Sequence, residues 1–294
     1  MIVYVLPSVG CFGGVKVGFQ FAEILRSCGV PVVMATPGGA APQWFPCSIP
    51  VVERESVVPR LGSDDVALFS LPQDHAELAR TDATLVLHCQ GTDPRIDPVI
   101  ADERVAVLTC WRQARDYVVE HCSRHPIEVG ISISEVFGST KITRRPRSIA
   151  YMPRRGRVDV VAEHSIRCGY ELIAIDGDDE GSVAMKMASA EVFAATAEGE
   201  WFGLPALEAM ASGCAVVSVP VLGGSEYLVD GTNCFVRPID GFGEAIDALV
   251  GSHGAPVRDG FLRAAPVTVS SYRRAAQRKI VVDALEGPLG ALLR

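Results

Sequence analysis

Residues 191–213 read EVFAATAEGEWFGLPALEAMASG. The stretch opens with a short apolar run at 192–196, which predicts a buried strand. A polar, glycine-bearing turn follows, and then a helix. Pro205 suits the first helical position, where its missing N–H would have had no partner. Gly213 suits the helix end, where a left-handed residue closes the last turn. The unpaired N–H groups at the start of such a helix face the turn and favour an anion there. Two carboxylates bracket the turn, Glu200 before it and Glu208 one turn into the helix, with seven residues between them.

Working outward, residues 2–6 form a β-branched run that predicts the first strand of a parallel sheet. The loop SVGCFGGVK follows, then helical spacing over 17–27 and a second strand at 31–35. Strand, glycine loop, helix and strand in that order open a doubly wound α/β domain. Gly13 and Gly14 let the backbone approach a ligand closely. A later strand at 84–88 ends in His88 and Gln90, at the kind of carboxyl end where open α/β sheets bind ligands. Further strands are expected at 105–110 and 127–133. Composition shifts to Gly, Ser, Thr, Lys and Arg over 137–146, which predicts a domain boundary. Residues 148–152 restart the pattern and run into Pro153-Arg154-Arg155-Gly156-Arg157, a basic turn suited to phosphate. Residues 251–266, rich in Gly and Pro, read as irregular, and 270–285 as a last helix.

The chain has 294 residues, nearly half of them hydrophobic, enough for two domains of ordinary size. Its net charge of −8, from 27 basic and 35 acidic groups, argues against a general nucleic-acid binder. Nine cysteines are scattered without CxxC pairs or Cys/His ligand clusters, which fits a reducing compartment. The first apolar run is interrupted by Pro7, Gly10 and Lys16 and has no basic region before it, unlike a signal peptide. No apolar run is long enough to span a bilayer. Together these features predict a cytoplasmic protein. The acidic turn Asp176-Gly-Asp178-Asp-Glu180 reads as a turn and helix cap rather than a metal site.

The run Glu200-Trp-Phe-Gly-Leu-Pro-Ala-Leu-Glu208 resembles the signature of the retaining, family 4 (glycosyltransferase group 1) enzymes of the GT-B fold. Gly223-Gly224-Ser225-Glu226 and the turn at Asp230-Gly231 extend the likeness over about fifty residues. Trp201 and Cys234 depart from the pattern, which has glycine at both places. The resemblance implies an α/β, GT-B architecture, two Rossmann-like domains facing across a cleft. Residues 1–140 would form the acceptor-side domain and 147–268 the nucleotide-sugar domain, with the helix in 269–294 packing back on the first.

The resemblance also implies roles. Glu208 would hold the donor ribose, and Glu200 would face the donor sugar. The N–H groups of Phe202, Gly203 and Leu204 would lie near the sugar and phosphates, as would Gly13 and Gly14. Arg154 and Arg155 would stabilise the leaving diphosphate, and His88 would act near the reacting groups. The family's phosphate-binding lysine is missing; the nearest, Lys141, lies upstream, and Arg155 or Arg157 would take its place. The implied activity is transfer of a sugar from a nucleoside diphosphate sugar to a hydroxyl acceptor, with retention at the anomeric carbon. The acceptor would be a saccharide, glycolipid or small metabolite. No metal or other cofactor is implied, and peripheral contact with the inner face of a membrane is compatible with the basic last helix. A non-catalytic nucleotide-sugar-binding protein is the alternative, motivated by Trp201 and the missing lysine. A GT-B epimerase or phosphorylase is a third reading, with no second phosphate or cofactor site to support a phosphorylase.

Overall fold

The computed structural model describes residues 1–294 apart from Lys141, Arg155, Gly224, Ser225 and Arg294. It divides into two compact units, Met1–Ser132 with Arg274–Arg294, and Ile133–Arg273. Both are α/β. Among the described residues no helix is long and apolar enough to cross a membrane. All nine cysteines are free.

The first unit runs β1 (Ile2–Val5), α1 (Gly13–Ser27), β2 (Val32–Thr36), β3 (Val51–Glu53), α2 (Arg54–Val57), β4 (Val66–Phe69), α3 (Pro72–Leu78), β5 (Thr84–Cys89), α4 (Asp97–Ile100), β6 (Val105–Thr109), α5 (Arg112–Cys122) and β7 (Ile127–Glu128). Its described strands form one parallel sheet in the order β3-β2-β1-β4-β5-β6-β7. All four residues of β1 are buried, as expected for a strand covered on both faces. The strand order reverses between β1 and β4, so the loop leaving β1 opens at a switch point of the sheet.

The second unit runs β8 (Ser148–Tyr151), α6 (Val158–Cys168), β9 (Glu171–Ala174), α7 (Glu180–Ser189), β10 (Val192–Ala195), α8 (Leu204–Ala211), β11 (Ala215–Ser218), β12 (Phe235–Val236), α9 (Phe242–Asp247) and α10 (Gly251–Ser270). Its parallel sheet has the order β12-β11-β10-β8-β9. The reversal lies between β8 and β10, paired Val192↔Ile149 through Ala194↔Tyr151. β10 also pairs with β11, Val192↔Ala215 through Ala195↔Ser218. The loops after β8, β10 and β11 therefore leave the same edge of the sheet side by side.

Two helices, α11 (Arg274–Leu285) and α12 (Pro288–Leu292), close the first unit. Val281 and Leu289 are fully buried there, in one cluster with Tyr4, Phe19, Phe21 and Ile24. The second core gathers Ile149, Val161, Val192, Val217, Phe242 and Phe261.

Several local expectations are corrected. Helix α1 begins at Gly13 rather than at residue 17, so both glycines sit in its first turn instead of the preceding loop. The strand expected over 127–133 is limited to Ile127–Glu128. Residues 251–266, expected to be irregular, belong to α10 despite Pro256 and Pro266. Phe261, Ala265 and Val269, spaced by four, are all buried, and this apolar face outweighs the local penalty of the prolines. Gly254 lets the helix start pass close to the chain before it; a Cβ there would lie 2.4 Å from the Leu249 carbonyl.

Candidate functional site

The loop between β10 and α8 forms the centre of the candidate site. Helix α8 begins at Leu204, with Pro205 in its first turn and Gly203 before it. Gly203 has φ 76°, the left-handed conformation that costs glycine little. Gly213, with φ 84°, follows the helix, its N–H bonded to the Met210 carbonyl.

Three loops are knitted at this edge. The Leu222 N–H donates to the Glu200 carbonyl at 2.8 Å, tying the loop after β11 to the loop after β10. The loop after β8 lies equally close. A Cβ on Gly156 would come within 2.3 Å of Thr196 Oγ1, so glycine is what lets this backbone approach the end of β10.

Beneath the loop sits a residue that the sequence pattern did not single out. The Tyr227 hydroxyl donates to the Gly203 carbonyl. Its ring packs 5.2 Å from that of Phe202 and 5.8 Å from that of Tyr272, centroid to centroid. Burial pushes the phenol well above its usual range, and the nearby Cys234, Tyr272, Glu208 and Glu200 push it further the same way. Tyr227 therefore stays protonated and keeps donating. It supports the left-handed turn and shares the electrostatic neighbourhood of both glutamates. Only its place just after Gly-Gly-Ser-Glu could have pointed to it in the sequence.

The second unit thus brings Glu200, Phe202, Gly203, Leu204 and Glu208 onto one loop and helix start. Glu208 and Phe202 are buried, while Glu200 and Leu204 are half-buried. Arg154 is exposed on the neighbouring loop after β8. Arg155 lies outside the described residues. Arg157, the other arginine of that turn, is engaged with Asp159 at 2.6 Å. In the acidic turn, Asp178 and Asp179 have local partners. Asp178 takes Lys186 Nζ at 2.6 Å and the Asp176 N–H at 3.0 Å, and Asp179 caps α7 by accepting from the Ser182 N–H.

In the first unit, Gly13 and Gly14 lie at the start of α1, at the carboxyl end of β1. A Cβ on Gly14 would meet Gln90 Oε1 at 2.8 Å. Gln90 donates to the Tyr4 hydroxyl at 3.3 Å. His88, expected at the ligand-facing end of its strand, is instead a core residue with no exposed surface. Its Nδ1 lies 2.8 Å from the Tyr4 hydroxyl and its Nε2 3.0 Å from Cys110 Sγ, and its ring packs on Phe21 at 4.6 Å. Burial lowers its pKa to about 3, so the imidazole is neutral. The expectation that it faces substrate is therefore corrected: β5 is buried on both faces, and His88 points into the layer beneath α1.

Chemically, the loop of the second unit offers an acceptor pair, Glu200 and Glu208, beside backbone N–H donors at a helix start. A carboxylate can accept from both hydroxyls of a diol, and the N–H groups suit an anion.

Residues 163–252 match the family model described as "Glycosyl transferases group 1". No curated protein matches the sequence. Among solved structures, Anabaena Alr3699/HepE in complex with UDP and glucose aligns with a TM-score of 0.71 at 13% identity, covering 97% of this chain and 99% of that one. Sucrose-phosphate synthase (tll1590) from Thermosynechococcus elongatus aligns with a TM-score of 0.72 at 12% identity, covering 99% of each chain. The pneumococcal O-GlcNAc transferase GtfA, in complex with UDP and GlcNAc, aligns with a TM-score of 0.61 at 14% identity over 78% of this chain. The chain spans 57% of that GtfA chain and 56% of the S. aureus TarM chain it also resembles. At these identities the likeness establishes the fold, α/β of the GT-B type. The family match lies within the second unit and includes β10, α8 and both glutamates.

Proposed function

We propose that the chain is a glycosyltransferase that moves a sugar from a nucleoside diphosphate sugar to a hydroxyl acceptor, with retention of anomeric configuration. The observation that carries this reading is the pair Glu200 and Glu208, set on either side of a left-handed glycine at the switch-point edge of the second sheet. The matched family model spans this segment, and similar folds hold UDP in the Alr3699/HepE and GtfA structures.

In this reading Glu208 accepts from the ribose diol of the donor and Glu200 faces its sugar. The N–H groups of residues 202–204 approach the sugar and phosphates. Arg154, with Arg155, takes the charge that develops on the leaving diphosphate, the main electrostatic task of such a transfer. The bond from the anomeric carbon to the phosphate oxygen breaks, and the bond to the acceptor oxygen forms on the same face. The acceptor proton passes to the departing phosphate. Guanidinium and N–H groups carry the charge, so the reaction needs no metal. Gly13 and Gly14 would line the donor and acceptor side of the first unit.

The first test is a thermal-shift panel with UDP, GDP, dTDP and ADP. A ligand that binds only the folded state raises its stability as RT ln(1 + [L]/Kd). One nucleotide should stand out, and its effect should shrink strongly in Glu208→Ala. No shift with any of them would overturn the site assignment. Donor consumption with the matching sugar nucleotide, abolished by Glu200→Gln, separates a transferase from a protein that only binds. The anomeric configuration of the product, read by NMR, tests retention.

A further inference from the structure

A second group of donor atoms lies in the second unit on elements away from the glutamate loop. His164 and Cys168 are four residues apart on α6 and so share one face of the helix. Asp247 is the last residue of α9. One nitrogen, one sulfur and one oxygen from these three side chains all lie within 4.8 Å of one another. The imidazole is buried, while Cys168 and Asp247 are half-buried, which leaves an approach from solvent. Gly243 lets α9 close onto the ring; a Cβ there would be 2.8 Å from His164 Nδ1.

We propose that His164, Cys168 and Asp247 form a zinc site that ties α6 to α9. The donor set of imidazole, thiolate and carboxylate is one that zinc accepts, with a water completing four-coordination. Tetrahedral zinc with bonds of about 2.0–2.3 Å holds its ligand atoms about 3.5 Å apart, so separations of up to 4.8 Å must contract by about 1.3 Å at most. Cys168 ends α6, where the partial negative charge of the helix terminus favours a cation.

The neighbours define how the site would load. His164 Nε2 lies 2.8 Å from Asp247 Oδ1, and the Tyr170 hydroxyl donates to the same oxygen at 2.6 Å. Arg167 Nη2 lies 2.8 Å from His164 Nδ1. A guanidinium only donates, so Nδ1 accepts here and the ring proton sits on Nε2, directed at Asp247. Zinc on Nε2 needs the opposite tautomer, with a proton on Nδ1. Arg167 opposes that tautomer, and being exposed it can swing away. Arg147 is the other nearby cation; it donates to the Cys168 carbonyl and lies over the Tyr170 ring, 4.8 Å from its centroid. The site therefore loads against Arg167, and removing that guanidinium strengthens it. Gln at this position supplies an oxygen that accepts the Nδ1 proton, the outer-shell partner that metal-bound histidines ordinarily have.

The full chain, stripped with a chelator and kept reduced with a phosphine, tests this directly. Titration with Zn²⁺ should give one equivalent at sub-micromolar Kd. Co²⁺ should give the thiolate-to-metal charge-transfer absorption and the intense visible bands of a tetrahedral site. Cys168→Ser should remove the charge-transfer absorption and weaken binding at least about tenfold, Asp247→Asn should weaken it, and Arg167→Gln should tighten it. Cys28→Ser, in the other unit, should change nothing. The proposal is overturned if binding is weaker than micromolar, if the charge-transfer band survives Cys168→Ser, or if Arg167→Gln weakens binding in a protein whose circular dichroism is native. None of these readouts depends on sugar transfer, so the test stands whether or not the proposed activity does.

Discussion

The two units meet the same structural problem and use their polar residues in opposite ways. Each has a parallel sheet whose strand order reverses beside its first strand, at β1 and at β8. In the second unit the polar groups lie in loops beyond the strand ends, with Glu200 half-exposed and Arg154 exposed. In the first, Tyr4 and His88 lie within strands and turn inward, where they and Cys110, the residue just past β6, satisfy one another. Similar positions in a fold therefore support different work. A loop side chain such as Arg154 can face a ligand, whereas one inside a doubly covered strand, such as Tyr4 or His88, belongs to the core.

The largest effect that would sharpen this contrast is the pH dependence that His88 gives the first unit. His88 is held neutral with a pKa of about 3, against an ordinary value of 6.5. Between those values the unfolded chain binds a proton that the folded chain does not, so stability is fully present above pH 6.5 and is lost as pH falls toward 3. Well inside that interval each step of one in pH costs about 1.4 kcal/mol, so the loss between pH 7.5 and 4.5 is about 3 kcal/mol. Urea unfolding across this range should show that slope, and His88→Gln should flatten it. An unchanged slope in the variant would place the proton uptake elsewhere.

Next in size is Glu208→Ala. Loss of hydrogen bonds to an ionised carboxylate is worth about 1.5–3 kcal/mol, so nucleotide affinity should fall roughly 10- to 150-fold in calorimetry. His88→Gln should leave that affinity nearly unchanged. If both variants lose nucleotide equally, the division between a ligand-facing and a core-facing set of polar groups fails.

The two glycine motifs give a paired test. Gly203 is left-handed, and a Cβ there would sit 3.1 Å from the Tyr227 hydroxyl. Gly203→Ala should cost about 1–2 kcal/mol in thermal or chemical unfolding. Gly13 is the first residue of α1, where alanine is the better helix former, so Gly13→Ala should be neutral or stabilising by less than about 1 kcal/mol. Equal losses at both would show that the first-turn glycine is also under constraint. The smallest effect is expected for Tyr227→Phe, about 1 kcal/mol, since one hydrogen bond to a buried carbonyl is lost while the ring stack remains. Combined with Gly203→Ala it should be less than additive, because it removes the atom that the new Cβ meets.

Much of this was legible in the sequence, for physical reasons that differ by region. Strands covered on both faces are continuous apolar runs, so β1, β8, β10 and β11 were readable directly. The boundaries of α8 were written in Pro205 and Gly213, whose backbone requirements are local. The same continuity hid the direction of His88, because a strand with two buried faces has no alternation to tell one from the other. Helix α10 was hidden by Pro256 and Pro266, since its stability comes from tertiary burial of Phe261, Ala265 and Val269. Tyr227 supports Gly203 across 24 residues of sequence, a contact that no local pattern encodes.

The chain leaves the first unit at Ser132 and returns to it at Arg274. That routing has a consequence for the order of synthesis. When Arg273 emerges from the ribosome, every residue of the second unit has been made, while the first still lacks Val281 and Leu289, two fully buried members of its core. Domains generally fold as units as they emerge. The unit whose residues come first in the chain is therefore the last to be completed, and until then its apolar interior depends on whatever shields nascent chains.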